Sequence, residues 1–471
     1  MREQKTLGKG WNASLLMAYL IGFCVLWELE KLINFPWSGD VYQWIKVGEL
    51  ILLGAVLTRI RFRGNLWYWV LVAGVLWLFT AAALHSEQVL TKTEKHLMKA
   101  VLVYLLCPAV GLLISGGNLK RFLKIFTACW TVAFTALCLA GLYCVFRGIR
   151  ITDYSGKYDL GLSGNAALTL LSDHYNTTAV NLSASMMVAL FGFAISDRRV
   201  SKILYLLSAG CMFVCLSLTG GRSGELSGCI GLGAAFVIAL QPFLHRKIRI
   251  KWLQVVISLA LVLMLTVVGM LVMKGTQTVV NRLLVRHNAG SLIPVAMAED
   301  APADTPEPEI KVAETEITEV QGRSFFQRDF LSGRDVVWRE ALNAFRNHPE
   351  LWWTGTSIST AMTQIRALSN IPKVSHFHNI FLQILIETGI PGLLISLVFL
   401  FFVLRGLFRL FSAMDRPLWE RFLTLPVVTI LLIEMVESCS RLGAKAYLNL
   451  ILMLFAGLVL FFSDKKGKTH E

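Results

Sequence analysis

The stretch SHFHNIFLQILIETGIPGLL, residues 375–394, sets two histidines and an asparagine at the mouth of an apolar run. His378 is expected in the first turn of a helix, where unpaired N–H groups carry a partial positive charge. An imidazole there is a candidate general base, and the same helix end favours a bound anion such as a phosphate. His376 falls outside the helix and can simply face water. Asn379, Gln383 and Glu387 follow at intervals of four, which places them in one stripe along a helix. A lipid-facing acid at mid-helix costs on the order of 2.5–3.5 kcal/mol, so the stripe is predicted to face the bundle interior. Gly389, Pro391 and Gly392 are predicted to bend the helix.

Two arginines offer complementary chemistry. Arg222 lies in the glycine-rich turn SLTGGRSGELSG, residues 216–227, flanked by Gly221 and Ser223. Glycine lets backbone and guanidinium approach a ligand closely, and a guanidinium suits a bidentate grip on phosphate oxygens. Arg334 opens LSGRDVVWREALNAFRNHPE, predicted as an amphipathic helix over 332–347, with Ser332 as its cap and His348-Pro349 as its end. Trp338, Ala341, Leu342 and Phe345 are expected to form its apolar face. Trp352 and Trp353 beyond it suit a membrane interface. Each candidate also has a plainer reading: His378 as a polar anchor, Arg222 as an arginine snorkelling to the interface, Arg334 as a solvated helix residue. No clustered carboxylate pair accompanies these motifs, so neither a metal site nor a cofactor is predicted.

The elements that must position these residues are membrane helices. Of 471 residues, 55% are hydrophobic and 16% charged, and the apolar residues fall in long blocks such as VVISLALVLMLTVVGMLVM. A bilayer core about 30 Å thick takes about 20 apolar residues per helix, which gives about twelve spans. They are expected near 12–29, 41–58, 66–84, 98–115, 124–145, 178–195, 203–219, 225–242, 252–273, 379–404, 421–438 and 446–463. The fold class is therefore all-α, a polytopic membrane protein. Three basic residues precede the first span and no small-residue cleavage site follows it, so that helix is read as uncleaved.

Lysines and arginines concentrate in TRIRFRGN, NLKRFLK, DRRVSK, HRKIRIK, LRGLFRL, DRPLWERF and DKKGKTH, and at the N-terminus. The rule that basic loops stay inside then places both termini in the cytoplasm. The net charge of +14 is spread over these short loops, which excludes a nucleic-acid face. The organisation is nine spans over 1–273, an extracytoplasmic loop over 274–378, three spans over 379–463 and a tail at 464–471. Residues 296–321, rich in Pro, Ala and acids, are predicted to be a disordered insert. Cysteines in the spans, including the Cys211–Cys215 pair on one helix face, are read as small apolar residues.

Three segments then resemble one family. GGRSGEL, LSGRDVVWREALNAFRNHPELWWTG and HFHNIFLQILIETGIPGLL resemble, in order, the elements that mark the O-antigen ligase and polymerase family. HYNTTAVN is a looser match, with Asn176 as its equivalent position, and the usual Gly-x-Gly after His-Pro retains Gly355 alone. The resemblance implies a GT-C-like bundle with one long extracytoplasmic loop. It implies a metal-independent, inverting glycosyltransferase in the cell membrane that serves surface polysaccharide biosynthesis. The donor would be a polyprenyl diphosphate-linked glycan and the acceptor a glycan or glycolipid, with membrane lipid as surroundings. By motif, Arg222 and Arg334 would hold the diphosphate and His378 would act as base. Asn379, Gln383, Glu387, Asn176, Gly221 and Ser223 would line the substrate site. A polymerase joining lipid-linked repeats is the alternative within this chemistry. A lipid-linked glycan flippase is the alternative from another class, although the polar residues cluster at one face and the two halves look unrelated.

Overall fold

The computed structural model describes residues 65–85, 101–114, 116–152, 159–163, 167–172, 174–248, 250–289, 311–314, 334–357, 361–369, 377–437 and 446–464. The expected spans at 12–29 and 41–58, and His376 and Ser332, lie outside the described residues. Within them the chain is mostly helical, and seven helices are long and apolar enough to cross a membrane.

Helix α1 runs Leu66–Leu84. The expected span at 98–115 is broken: a π-helical stretch Val101–Leu106 and a short α2, Val110–Leu113, flank Pro108. Proline lacks the N–H that a continuous helix would need there. Helix α3, Gly116–Arg147, leads into strands β1 (Ile149–Thr152), β2 (Asp159–Leu162) and β3 (Leu168–Ser172). Then come α4 (Tyr175–Ile195), α5 (Arg199–Ser217), α6 (Arg222–Lys247) and α7 (Lys251–Ala289).

Burial ranks these helices. The apolar stretch of α4 is 89% buried, so α4 is the centre of the bundle, whereas that of α7 is 11% buried, so α7 is its lipid-facing rim. The boundary expected at residue 273 falls inside α7, which continues to Ala289. Met273, Val280 and Leu284 keep one buried face through the extension, and this periodicity sustains the helix past the end of its apolar block.

Strand β4, Lys311–Glu314, pairs antiparallel with β1 and completes a four-stranded sheet in the order β3-β2-β1-β4. An all-α reading therefore misses a small sheet. The insert expected to be disordered over 296–321 contains one of its strands. Here the backbone of β1 supplies hydrogen-bond partners that the composition of the insert does not reveal.

Further on lie α8 (Arg334–Asn347), α9 (Leu351–Thr354), α10 (Ala361–Leu368), α11 (Ile380–Ser412), α12 (Leu418–Phe422), α13 (Thr424–Glu434) and α14 (Ala446–Asp464). The span expected at 421–438 is thus split near Leu423 into α12 and α13. Its buried face includes a fully enclosed Arg421, hydrogen-bonded to Gln241 of α6.

Two cores hold the molecule together. The larger joins α1–α7 and α11–α14. The smaller joins α8–α10 to the start of α11 through Val337, Ala341, Phe345, Ile365, Phe377 and Ile386. On α8, Val337 and Ala344 are buried and Leu342 is 44% exposed. The apolar face is therefore centred one position away from the expected one, as the 100° step per residue allows. One further cluster was not foreseen: Cys138 of α3 joins Cys211 and Cys215 of α5, with all three sulfurs within 4.8 Å of one another.

The register of α6 against α13 fixes the two ends of the bundle. Gln241 meets Arg421, and Gly231 packs against Thr429, so the helices are antiparallel. One end carries the sheet, the start of α6 and the end of α13. The other carries Lys120, Asp197, Arg421 and the Arg409–Asp464 pair.

Candidate functional site

His378 does not sit in the first turn of α11. It precedes the cap residue Asn379, whose side chain accepts from the backbone N–H of Leu382 at 3.1 Å. His378 itself has φ = 53°, a left-handed conformation that costs a non-glycine residue about 1–3 kcal/mol. Its surroundings hold it there. The indole N–H of Trp338 donates to the Phe377 carbonyl at 2.7 Å, and the Phe377 N–H donates to Gln383 Oε1 at 3.2 Å. The tryptophan of α8 and the glutamine of α11 thus clamp the residue before the histidine.

Glu437, three residues beyond α13, connects the site. Its Oε1 accepts from Arg334 Nη2 at 2.6 Å, and its Oε2 lies 3.1 Å from His378 Nδ1. The Glu437 side chain is 4% exposed, those of Arg334 and His378 18% and 22%. A carboxylate paired with a guanidinium only accepts, so Nδ1 of His378 carries the proton. That tautomer makes Nε2 the basic nitrogen. Only one guanidinium nitrogen of Arg334 is engaged by Glu437. Sequence reading missed Glu437; the available signal was the spacing of Glu434 and Glu437 in EMVES at the end of a span, too common a pattern to single out.

Arg222 opens α6 at the same end of the bundle. From Gly231 to Arg222 is about 14 Å along α6, and from Thr429 to Glu437 about 12 Å along α13, so the two groups stand at similar depth. The charges of Arg222 and of Lys274 on α7 both act on Glu225, one turn into α6. Gly221 is required by close packing: a Cβ there would lie 2.4 Å from the Ala179 side chain and 3.4 Å from Asn176 Cα. The structure thereby brings Asn176, Gly221 and Arg222 together at the α4–α6 contact. Ser223 Oγ is buried without a hydrogen-bond partner among the described residues. Direct bonding joins Arg334 and His378 through Glu437; Arg222 shares their end of the bundle.

The polar stripe descends inward as expected. Gln383 and Glu387 are 1% and 7% exposed, and Gln383 Nε2 donates to Glu387 Oε1 at 2.5 Å. The bend follows at Gly389, with φ = 68° and ψ = −172°. Pro391 has no N–H for the Glu387 carbonyl, and the Ser357 N–H takes its place at 3.1 Å. Thr356 N–H donates to the Ile386 carbonyl at 2.7 Å, and Trp77 Nε1 to the Thr388 carbonyl at 2.7 Å. The loop after α9 and α1 thus satisfy the carbonyls that the kink releases.

A cavity of about 450 Å³ borders the stripe. Its polar end holds Tyr104, Gln383, Glu387, Glu434 and Asn449, and its remainder is mostly apolar, from α1, α11, α13 and α14.

The fold and site define an integral membrane protein with a buried carboxylate joining an arginine to a histidine at one end of its helical bundle. Residues 207–397 match the family model for O-antigen ligase, which supports the O-antigen ligase/polymerase family and, with it, a membrane glycosyltransferase-type enzyme. Lipid-linked glycan substrates in a membrane setting follow from that family. The matched span contains Arg222, Arg334 and His378 and ends before Glu437. Comparison with curated proteins finds no match.

Proposed function

We propose that the chain transfers a glycan from a polyprenyl diphosphate carrier to a hydroxyl of an acceptor glycan or glycolipid, as a ligase of surface polysaccharide. The observation that carries this reading is the joint hold of Glu437 on Arg334 and His378. The site end is taken as extracytoplasmic because lysine and arginine concentrate at the other end, which leaves both termini in the cytoplasm of a cell-membrane protein.

In this mechanism the acceptor hydroxyl gives its proton to Nε2 of His378 as its oxygen attacks the anomeric carbon. The bond from that carbon to the diphosphate breaks, and the electron pair leaves on a phosphate oxygen. Arg222 and Arg334 stabilise the charge that develops there, as preorganised donors in a poorly hydrated site do. Attack opposite the leaving group inverts the anomeric centre. The imidazolium that forms is stabilised by Glu437. Base catalysis of this kind contributes about 10²–10⁴-fold. Carboxyl groups line the polar end of the cavity, which favours sugar hydroxyls and a prenyl chain there over the diphosphate. Asn379, Gln383, Asn176, Gly221 and Ser223 shape the approach.

The test is turnover of a polyprenyl diphosphate glycan by the purified chain in nanodiscs, with EDTA present. The expected result is glycan joined to a glycolipid acceptor, lost in His378→Ala, Arg334→Ala and Arg222→Ala. Longer lipid-linked chains without added acceptor would establish the polymerase instead. Carrier movement across vesicles with no new glycosidic bond would establish the flippase. Full turnover in the three variants would refute the residue assignment.

A further inference from the structure

Away from this site, three cysteines converge between two helices. Cys138 of α3 meets Cys211 and Cys215 of α5, and the three sulfurs lie within 4.8 Å of one another. Two come from successive turns of one helix and the third from its neighbour, so the contact between the helices fixes the triangle. Cys138 and Cys215 are fully buried, and Cys211 leaves one side partly open. The Cys215 thiol donates to the Cys138 carbonyl at 3.7 Å, a weak hydrogen bond. Packing asks only for small apolar side chains here, not for three sulfurs turned toward one point. The dimensions say what could fill that point. A centre equidistant from sulfurs 4.8 Å apart lies about 2.8 Å from each, and shifts of about 0.5 Å shorten this to the ~2.3 Å of a metal–thiolate bond.

The donor set says which ion. Thiolates are soft ligands that select Cu(I), Zn(II) or an iron–sulfur cluster. Structural zinc is almost always four-coordinate, and iron–sulfur clusters take four cysteines. Among the described residues, no histidine or carboxylate joins the three sulfurs. Cu(I) accepts three soft ligands without a fourth and is the ion that matches. We infer that Cys138, Cys211 and Cys215 form a trigonal Cu(I) site. Each sulfur that becomes a thiolate releases its proton as the ion enters. The copper stays Cu(I) throughout, so no oxidant or reductant takes part. One turn beyond Cys138, Gly141 packs against Leu170 of β3. The ion therefore ties α3 to α5 just below the sheet, as a clip independent of the reaction assigned to the Glu437 site.

The experiment uses the full chain in detergent, reduced with a phosphine and kept anaerobic. Cu(I) is titrated against a chromophoric Cu(I) chelator, and X-ray absorption counts the sulfurs around it. One equivalent should bind per chain, with three sulfurs at about 2.3 Å. Cys138→Ser and Cys215→Ala should each weaken binding by more than the roughly 10–100-fold that loss of a supporting group costs a metal site. Cys129→Ser, at an exposed position of α3, and Cys229→Ala, buried in α6, should bind as wild type does. Cu(I) should also raise the thermal midpoint of wild type and leave that of Cys138→Ser unchanged, because only an ion held by the folded chain stabilises it. Equal binding by wild type and the Cys138 and Cys215 variants, or an equal loss in Cys129→Ser, would overturn the site. Retention of Zn(II) in preference to Cu(I) would overturn the choice of ion. A disulfide between α3 and α5 in chain purified without reductant, with no copper taken up after its reduction, would overturn metal binding in favour of a redox pair. Should the variants at the buried positions fail to fold, Cys211→Ala at the partly open position decides, with the same loss expected.

Discussion

Asp197 and Glu437 perform the same operation at opposite ends of the bundle: each carboxylate bridges two basic side chains. Asp197 receives Lys120, at 3.3 Å, and Lys124, both from α3. Glu437 receives Arg334, 103 residues away, and His378, 59 residues away. The side chains of Asp197 and Glu437 are 67% and 4% exposed. Solvent decides what each bridge is worth. An exposed pair is screened and contributes about 0–1 kcal/mol, whereas breaking a buried one leaves an uncompensated charge and costs about 3–5 kcal/mol. The bridge at the Asp197 end decorates a helix that stands without it. The bridge at the Glu437 end fixes where an imidazole and a guanidinium sit relative to each other, which is the placement the proposed transfer chemistry needs.

Glu437→Gln breaks the comparison at its strongest point. The amide keeps the shape of the side chain but carries no charge, and its nitrogen cannot accept from either partner. His378 then loses the acceptor that fixes its tautomer, and Arg334 loses its counter-ion. Glycosyl transfer should fall by about 10²–10⁴-fold, the contribution of a positioned base. Glu437→Asp should recover part of it with an altered pH–rate profile. A variant that retains wild-type turnover would mean that Glu437 only packs, and the two carboxylates would then differ in burial alone.

Much of this arrangement was legible in the sequence, for identifiable reasons. The descent of Gln383 and Glu387 into the bundle follows from the energetics of an acid in lipid, and the bend from Gly389 and Pro391. Both are local properties of one segment. The helix expected to include His378 begins two residues later, at Ile380, because an asparagine is the better cap and Asn379 takes that role. Glu437 was not legible, because its significance comes from partners on two other elements. The continuation of α7 to Ala289 escaped detection because the polar residues after Met273 ended the hydropathy signal while the buried face persisted. The sheet escaped because β4 lies in an acidic, proline-rich segment, and only pairing with β1 reveals it as a strand.

The kink that separates the polar from the lipid-facing half of α11 offers a second test of what fixes the buried bridge. At Gly389, with φ = 68°, an added Cβ would lie 2.5 Å from the Trp353 carbonyl oxygen. Backbone strain and a clash with backbone act together, so Gly389→Ala should destabilise the chain by about 1–3 kcal/mol. The displaced loop would also withdraw Thr356 and Ser357 from the carbonyls they satisfy. Thermal unfolding in detergent reads the stability, and protease sensitivity between α9 and α10 reads the loop. Unchanged stability would show that the kink relaxes freely and that the position of His378 does not depend on it.

Asp197→Asn tests the weak side of the comparison and should have the smallest effect. Hydrogen bonds from Lys124 and then Lys120 hold the Asp197 carboxyl below the usual carboxylate range. A group whose proton affinity is lowered by folding stabilises the folded state above its unfolded pKa of about 3.9, and the gain disappears as pH falls through the depressed folded value. The difference between wild type and Asp197→Asn should therefore be flat from neutral pH down to about pH 5 and vanish in stronger acid. Exposure to solvent limits it to about 1 kcal/mol at most, and added salt should shrink it further. Urea midpoints across pH at two ionic strengths measure this directly. A difference that exceeds that limit, or that survives high salt, would mean that exposure does not set the worth of a carboxylate bridge in this protein, and the contrast with Glu437 would have to rest on geometry alone.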